Sequence, residues 1–308
     1  MEKLVSIIIP TYKRPDLLKK AITSVLIQKD VSFEIIVVND FNDDLKPLIN
    51  SFNDVRINLL FNNRKKGANG ARNTGILNSN GDYIAFLDDD DEWLPNKLVK
   101  QMDVLKEMDS SWGGAYCGFK FFEYDKWFIK TNLKSGNLFT DLLTGKNECN
   151  AGSTLMVKKY IFNEIGLFDE KLQRHQDLEF LIRFFRKYKL ICIKEPLAII
   201  NSHTNIDANK AEENKLTFLK KIESDINSLP LKDMRFIYAF QFRELSLIFS
   251  RQNNLKKTIF YLKSSLKYRF LEPYRYITIV LNILGIIFNV DFEKHLNKLK
   301  RKISRVHN

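Results

Sequence analysis

The sequence predicts an α/β fold with a helical appendage. Two patterns carry that expectation. As far as about residue 100, short β-branched runs alternate with stretches whose apolar residues recur at helical spacing, which marks strand–helix–strand units. After Leu216 only the helical spacing remains. At 308 residues, 44% of them hydrophobic, the chain can fill one large domain and an appendage, and global disorder is not expected.

The elements follow in order. "LVSIII" (4–9) and "FEIIVVND" (33–40) read as strands. Between them Leu17, Leu18, Ala21, Ile22, Val25 and Leu26 share one helix face. Pro15 opens that helix, where its missing N–H is harmless. "RINLLFN" (56–62) is a third strand, and "YIAFL" (83–87) a fourth. The Gly- and Asn-rich "NNRKKGANGARNTGI" between them reads as a loop over 67–73 that leads into a helix.

From 111 to 225 the pattern changes. "WGGAYCGFKFFEY" (112–124) and "KWFIKT" (126–131) suit antiparallel strands. Residues 153–170 read as strand then helix, and 190–203 as strand. The stretch 174–188 is a helix with Leu178, Leu181, Ile182 and Phe185 on one face. Residues 236–268 read as a helix hairpin turning at 252–254. The chain is expected to divide into a catalytic-type domain, 1–225, with halves 1–110 and 111–225, and a helical, basic region, 226–308.

Cys117, Cys149 and Cys192 are odd in number and scattered, with no C-x-x-C pair. That argues against a disulfide framework and a zinc site, and it suits a reducing compartment. The first apolar run, 5–9, stops at Pro10 and does not suit a signal peptide. The net charge is +12, and residues 255–308 hold twelve Lys and Arg against three Asp and Glu. A charge so localised points to an anionic partner for that segment.

One strand ends in four carboxylates: "GDYIAFLDDDDEW" (81–93) runs from an apolar core into 88–91. Like charges so close repel. A solvated acidic turn is one reading, but the run sits at the carboxyl end of a strand, where open α/β sheets place ligand crevices. A hard divalent cation such as Mg²⁺ or Mn²⁺ would offset the repulsion. An EF-hand does not fit, because Trp93 stands where its glycine and Val99 where its glutamate would be.

In order, the chain shows "VSIIIPTYKRPDLLKKAITSVLIQ", "EIIVVNDFNDD", "GANGARNTGI", "GDYIAFLDDDDEW" and "GLFDEKLQRHQDLEFLIR". Over roughly residues 4–205 it resembles the family 2 glycosyltransferases, GT-A-fold enzymes that use nucleotide-diphosphate sugars. Each piece alone is a weak signal; five in this order are specific. The resemblance implies a Rossmann-like GT-A sheet that binds the nucleotide sugar.

Asp40 closes a strand, where it suits either a turn or an acceptor for a uracil N3–H; the resemblance implies the second. The family usually carries two acidic residues here, while this chain has Asn39 and then Asp40. Pro10, Thr11 and Tyr12 would line the same base pocket. Gly67 and Gly70 allow close backbone approach to a ligand, and Arg72 beside Asn73 supplies a fixed cation for nucleotide or phosphate. The acidic run corresponds to the D-x-D metal motif, with Asp88 as its first acid and Asp90 as its second. Asp90 is the expected metal contact, with Asp88 and Asp89 on ribose or a metal-bound water. Trp93 suits either stacking on the sugar or burial under the loop.

Asp177 matches the family's general base, where this chain has Gln176-Asp177. On position alone it is a dipole-stabilised residue of a first helical turn. His203 stands where some relatives place a metal or phosphate ligand, and His175 is a weaker candidate.

The expected function is a metal-dependent (Mn²⁺ or Mg²⁺), inverting glycosyltransferase. It would move sugar from a nucleotide-diphosphate sugar, UDP above others, to a glycan or lipid-linked acceptor in surface-polysaccharide synthesis. The alternatives are an inactive relative that only binds nucleotide sugar and a basic nucleic-acid-binding protein. The second leaves the acidic run unexplained, and no nucleic-acid partner is expected. The apolar stretch 276–290 is interrupted by Asn282 and Gly285, is shorter than the roughly 20 residues that span a bilayer, and precedes Lys294, Lys298, Lys300, Arg301, Lys302 and Arg305. Residues 271–308 therefore suit either peripheral contact with the inner face of the cytoplasmic membrane or a packed helix with a solvated basic tail.

Overall fold

The computed structural model describes residues 3–288, except 42, 124–125, 147–148, 150–151 and 202–206. Two compact units emerge: Met1–Leu142 with Asn147–His203, and Leu143–Lys146 with Thr204–Asn308.

In chain order the first part runs β1 (Val5–Thr11), α1 (Pro15–Leu26), β2 (Phe33–Asn39), α2 (Lys46–Ser51), β3 (Ile57–Phe61), α3 (Ala68–Leu77), β4 (Tyr83–Phe86), β5 (Glu92–Trp93) and α4 (Lys97–Lys106). There follow β6 (Trp112–Glu123), β7 (Lys126–Lys130), α5 (Phe139–Leu143), β8 (Met156–Lys158), α6 (Ile161–Ile165), α7 (Gln176–Phe185) and β9 (Lys189–Ile200). The strands make one mixed sheet in the order β3-β2-β1-β4-β8-β6-β9-β5, with β7 paired to β6. β1 to β4 are mutually parallel, whereas β8 runs antiparallel to both β4 and β6.

β1, β2 and β4 are buried along their whole length because both sheet faces are covered there. Val5, Ile7 and Ile9 of β1, with Phe33, Ile35 and Val37 of β2, meet Leu18, Ile22 and Val25 of α1 and Leu98, Met102 and Leu105 of α4. Ile8, Ile36 and Val38 point the other way, into a layer that holds Ala71 and Ile76 of α3 and Phe180, Leu181 and Phe184 of α7. The period of two along each strand separates these cores.

The glycine-rich stretch differs from its sequence expectation. Residues 68–77 are helix, not loop, so Gly70, Arg72 and Asn73 lie on α3. Close packing explains the glycines: a Cβ at Gly75 would stand 2.5 Å from Ile8 Cγ2, and one at Gly70 would strike the carbonyl oxygen of Lys65.

The second unit is helical: α8 (Ala208–Lys221), α9 (Glu223–Asn227), α10 (Leu231–Arg251), α11 (Leu255–Tyr268) and α12 (Ile277–Phe288). α10 and α11 form a hairpin, and the Asn254 side chain caps α11 by accepting from Lys257 N at 3.1 Å. Among the described residues, no helix is long and apolar enough to cross a membrane.

Candidate active site

The parallel register sets the carboxyl ends of β1, β2 and β4 side by side: Thr11 lies opposite Asn39, and Ile8 opposite Phe86. The chain leaving those ends carries Tyr12, Asp40 and the acidic run, so all three gather at one sheet edge.

Asp40 is held from three sides. Its N–H donates to Thr11 O at 2.9 Å, and its carboxylate accepts from Gly67 N at 2.8 Å and from Asn62 Nδ2 at 2.5 Å. Gly67 caps α3 at φ 124°, a backbone conformation that favours glycine. Each Asp40 oxygen keeps a lone pair for a further donor. Asn39 is the turn residue, accepting from Phe41 N at 2.9 Å and donating to Asp43 O at 2.9 Å. Beside Asp40, Tyr12 stands edge-on to Phe41 with ring centroids 5.3 Å apart. Lys13 lies 4.0 Å from the Phe41 ring and Lys66 5.3 Å from that of Tyr12, so the ledge is both aromatic and cationic. Pro10 and Thr11 are buried in β1 beneath it.

The four aspartates have different partners. Asp88 pairs with Arg72, and its N–H donates to Ser153 Oγ at 3.0 Å. Asp89 accepts from the Thr11 hydroxyl at 2.8 Å, from Tyr12 N at 3.4 Å and from Arg14 Nη1 at 3.3 Å. Asp90 accepts from the same Arg14 nitrogen at 2.7 Å. Asp91 accepts from Ser153 Oγ at 2.5 Å and from Asn201 N at 2.8 Å. Burial, with the neighbouring Asp88 charge, pushes the Asp91 carboxyl up to about 8. Two guanidinium groups, and one carboxyl whose ionisation burial disfavours, thus relieve the repulsion within the chain itself. A Cβ at Gly152 would strike the Asp88 carboxylate, so glycine there leaves that side chain its place.

Trp93 is buried. Its Nε1 donates to Ser153 O at 2.7 Å, its backbone N–H donates to Ser24 Oγ at 3.0 Å, and Lys97 Nζ lies 3.9 Å from its ring. Of the two roles open to it, the ring takes the buried one in this structure, at 1% exposure.

Asp177 lies in the first turn of α7, after His175 in a left-handed conformation. Burial pushes its carboxyl up, the Leu178 N–H and Arg72 guanidinium draw it partly back, and Asp88 raises it further. Arg72, paired with Asp88, thus also acts on the charge of Asp177. Asn73 ties α3 to the segment before α7: Nδ2 donates to Phe168 O at 2.9 Å and to Glu170 Oε1 at 2.8 Å. His203, a candidate ligand from the sequence, lies outside the described residues, as do residues 289–308.

Among the described residues, no cluster of three or more His, Cys, Asp or Glu side chains stands ready for a metal ion. The donor chemistry still fits a hard divalent cation. Asp88 and Asp90 offer carboxylate oxygens, and the Arg14 side chain that meets Asp90 is 42% exposed and has room to move aside.

The family profile "Glycosyl transferase family 2" matches residues 6–166, just over half of the chain. The chain belongs to glycosyl transferase family 2. An uncharacterized glycosyltransferase of Rickettsia typhi is 32% identical over 231 residues, 71% of this chain and 72% of that one. The UDP-Glc:alpha-D-GlcNAc-diphosphoundecaprenol beta-1,3-glucosyltransferase of Escherichia coli is 43% identical over 103 residues, 33% of this chain and 41% of that one. Among solved structures, a mannosyltransferase of Pyrobaculum calidifontis, in complex with GDP-Man and Mn²⁺, superposes with a TM-score of 0.59 at 14% identity, over 94% of this chain and 89% of that one. The fold of this glycosyltransferase is GT-A, with a helical region after it.

Four residues of the candidate site escaped the sequence reading: Arg14, Asn62, Ser153 and Asn201. Arg14 follows directly on Tyr12 and Lys13, so its position was a usable signal. The others reach the site only through tertiary pairing, and no local pattern marks them.

Proposed function

We propose that the chain is a metal-dependent, inverting glycosyltransferase that moves a sugar from a UDP-sugar to a hydroxyl of a glycan or lipid-linked acceptor in surface-polysaccharide synthesis. The observation that carries this is the gathering of Asp40, the acidic run, Arg72 and Asp177 in one unit, the first two at one sheet edge and Arg72 paired with Asp88. Asp40 would accept the N3–H of uracil while the base lies on the Tyr12–Phe41 ledge. The backbone of Pro10 and Gly67 would border the base, and Thr11, which donates to Asp89, would hold that carboxylate in place for the ribose. Arg72 brings a fixed positive charge to the diphosphate.

Asp88 and Asp90 would hold Mn²⁺ or Mg²⁺, which when bound neutralises charge growing on the leaving diphosphate. Asp177 takes the proton from the acceptor hydroxyl. The hydroxyl oxygen bonds to the anomeric carbon from the face opposite UDP, and the bond to the diphosphate oxygen breaks with its electron pair, which inverts the centre. A carboxyl raised by burial is the stronger base for this step. The Escherichia coli relative, whose acceptor is diphosphoundecaprenol-linked, supports the acceptor class; a lipid-linked acceptor would place the enzyme at the inner face of the cytoplasmic membrane.

The test is UDP release from individual UDP-sugars in Mn²⁺ with a diphosphoprenyl-linked saccharide. One donor is expected to release UDP in step with acceptor elongation. UDP binding without release from any donor or acceptor would make the chain a non-catalytic binder.

A further inference from the structure

α12 carries a face that the described residues leave uncovered. Ile279 is buried and Ile283 packs against the same small core, which Phe236, Ala239 and Tyr276 help to form. Asn282 Nδ2 donates to Ser250 Oγ at 3.0 Å, so the residue that interrupts the apolar stretch in sequence points inward, onto α10. The opposite side holds Ile277, Val280, Leu284, Ile287 and Phe288, between 37% and 64% exposed. At helical spacing these five share an arc of about 100°, free of polar residues. Tyr274 and Phe270, just before the helix, are more than half exposed as well.

We propose that this face of α12 is a docking surface for an anionic lipid bilayer, lying in the headgroup boundary parallel to the membrane plane. A helix of twelve residues is about 18 Å long, too short to span a hydrocarbon core of about 30 Å but long enough to lie in its interface. The occupant follows from charge. Residues 255–308 hold twelve Lys and Arg against three Asp and Glu. Two such segments brought together in a dimer would repel, whereas anionic headgroups attract them. The choice of a lipid surface rests on the reading of a lipid-linked acceptor, yet docking can be measured without catalysis.

The experiment is flotation of the full chain with phosphatidylcholine vesicles, with and without phosphatidylglycerol, at low and high salt. The wild type is expected to float with the anionic vesicles, less so as salt rises. The variant Val280→Asp/Leu284→Asp is expected to partition at least about tenfold more weakly, and Ile287→Ser/Phe288→Ser likewise. All four positions are exposed, so melting curves should match the wild type. Wild type remaining in the soluble fraction at low salt, or both variants floating like wild type, would overturn the proposal. So would a wild-type dimer that the variants split and that ignores lipid. UDP binding is measured on the same samples. A chain that floats but does not bind UDP keeps the docking face and removes the transferase reading.

Discussion

Replacing Asp177 by Asn is expected to lower the rate of sugar transfer by about 10²–10⁴-fold, the range typical of general-base catalysis. The amide keeps the shape of the carboxyl but cannot take the acceptor's proton. Arg72 retains its partner Asp88, so the donor side is unchanged and UDP should bind as tightly as before. The pH profile supplies a second readout. The base acts only when ionised, and burial raises its carboxyl above the ordinary range. Wild-type rate should therefore fall, as pH drops, through a value above the usual aspartate pKa of about 3.9, and the variant should lack that limb. Near-normal turnover in Asp177→Asn on an elongating acceptor would mean that another group is the base.

Asp90→Ala is expected to weaken donor and metal binding together. Loss of a group that merely supports a metal ligand typically costs about 10–100-fold, so loss of a direct ligand should cost at least that. Arg14 keeps Asp89 as its partner, which limits the damage to the loop itself. UDP affinity in Mn²⁺ should fall, while affinity in EDTA should match that of the wild type in EDTA. Equal UDP–Mn²⁺ affinity in variant and wild type would exclude Asp90 as a ligand.

The sheet was legible because its parallel centre is buried on both faces, which leaves uninterrupted β-branched runs such as 7–9 and 35–38. The acidic run was legible because like charge at a strand end is unusual whatever the fold. Three things were not. The glycines of α3 looked like a loop because their reason, contact with Ile8 and with the Lys65 carbonyl, lies outside the local sequence. Ser153 and Asn201, which carry Asp91, come from distant segments. Asn282 looked like a break in an apolar stretch, and only the fold reveals that it turns inward to Ser250.

The most direct test is a titration with UDP and with GDP, each in Mn²⁺ and in EDTA, read as thermal stabilisation of the full chain. UDP in Mn²⁺ at about 100 times its Kd is expected to stabilise the protein by about 2.7 kcal/mol, and UDP in EDTA, or GDP, by far less. Equal stabilisation by UDP in EDTA and in Mn²⁺ would contradict the metal-bridged diphosphate, and a preference for GDP would contradict the base contact assigned to Asp40.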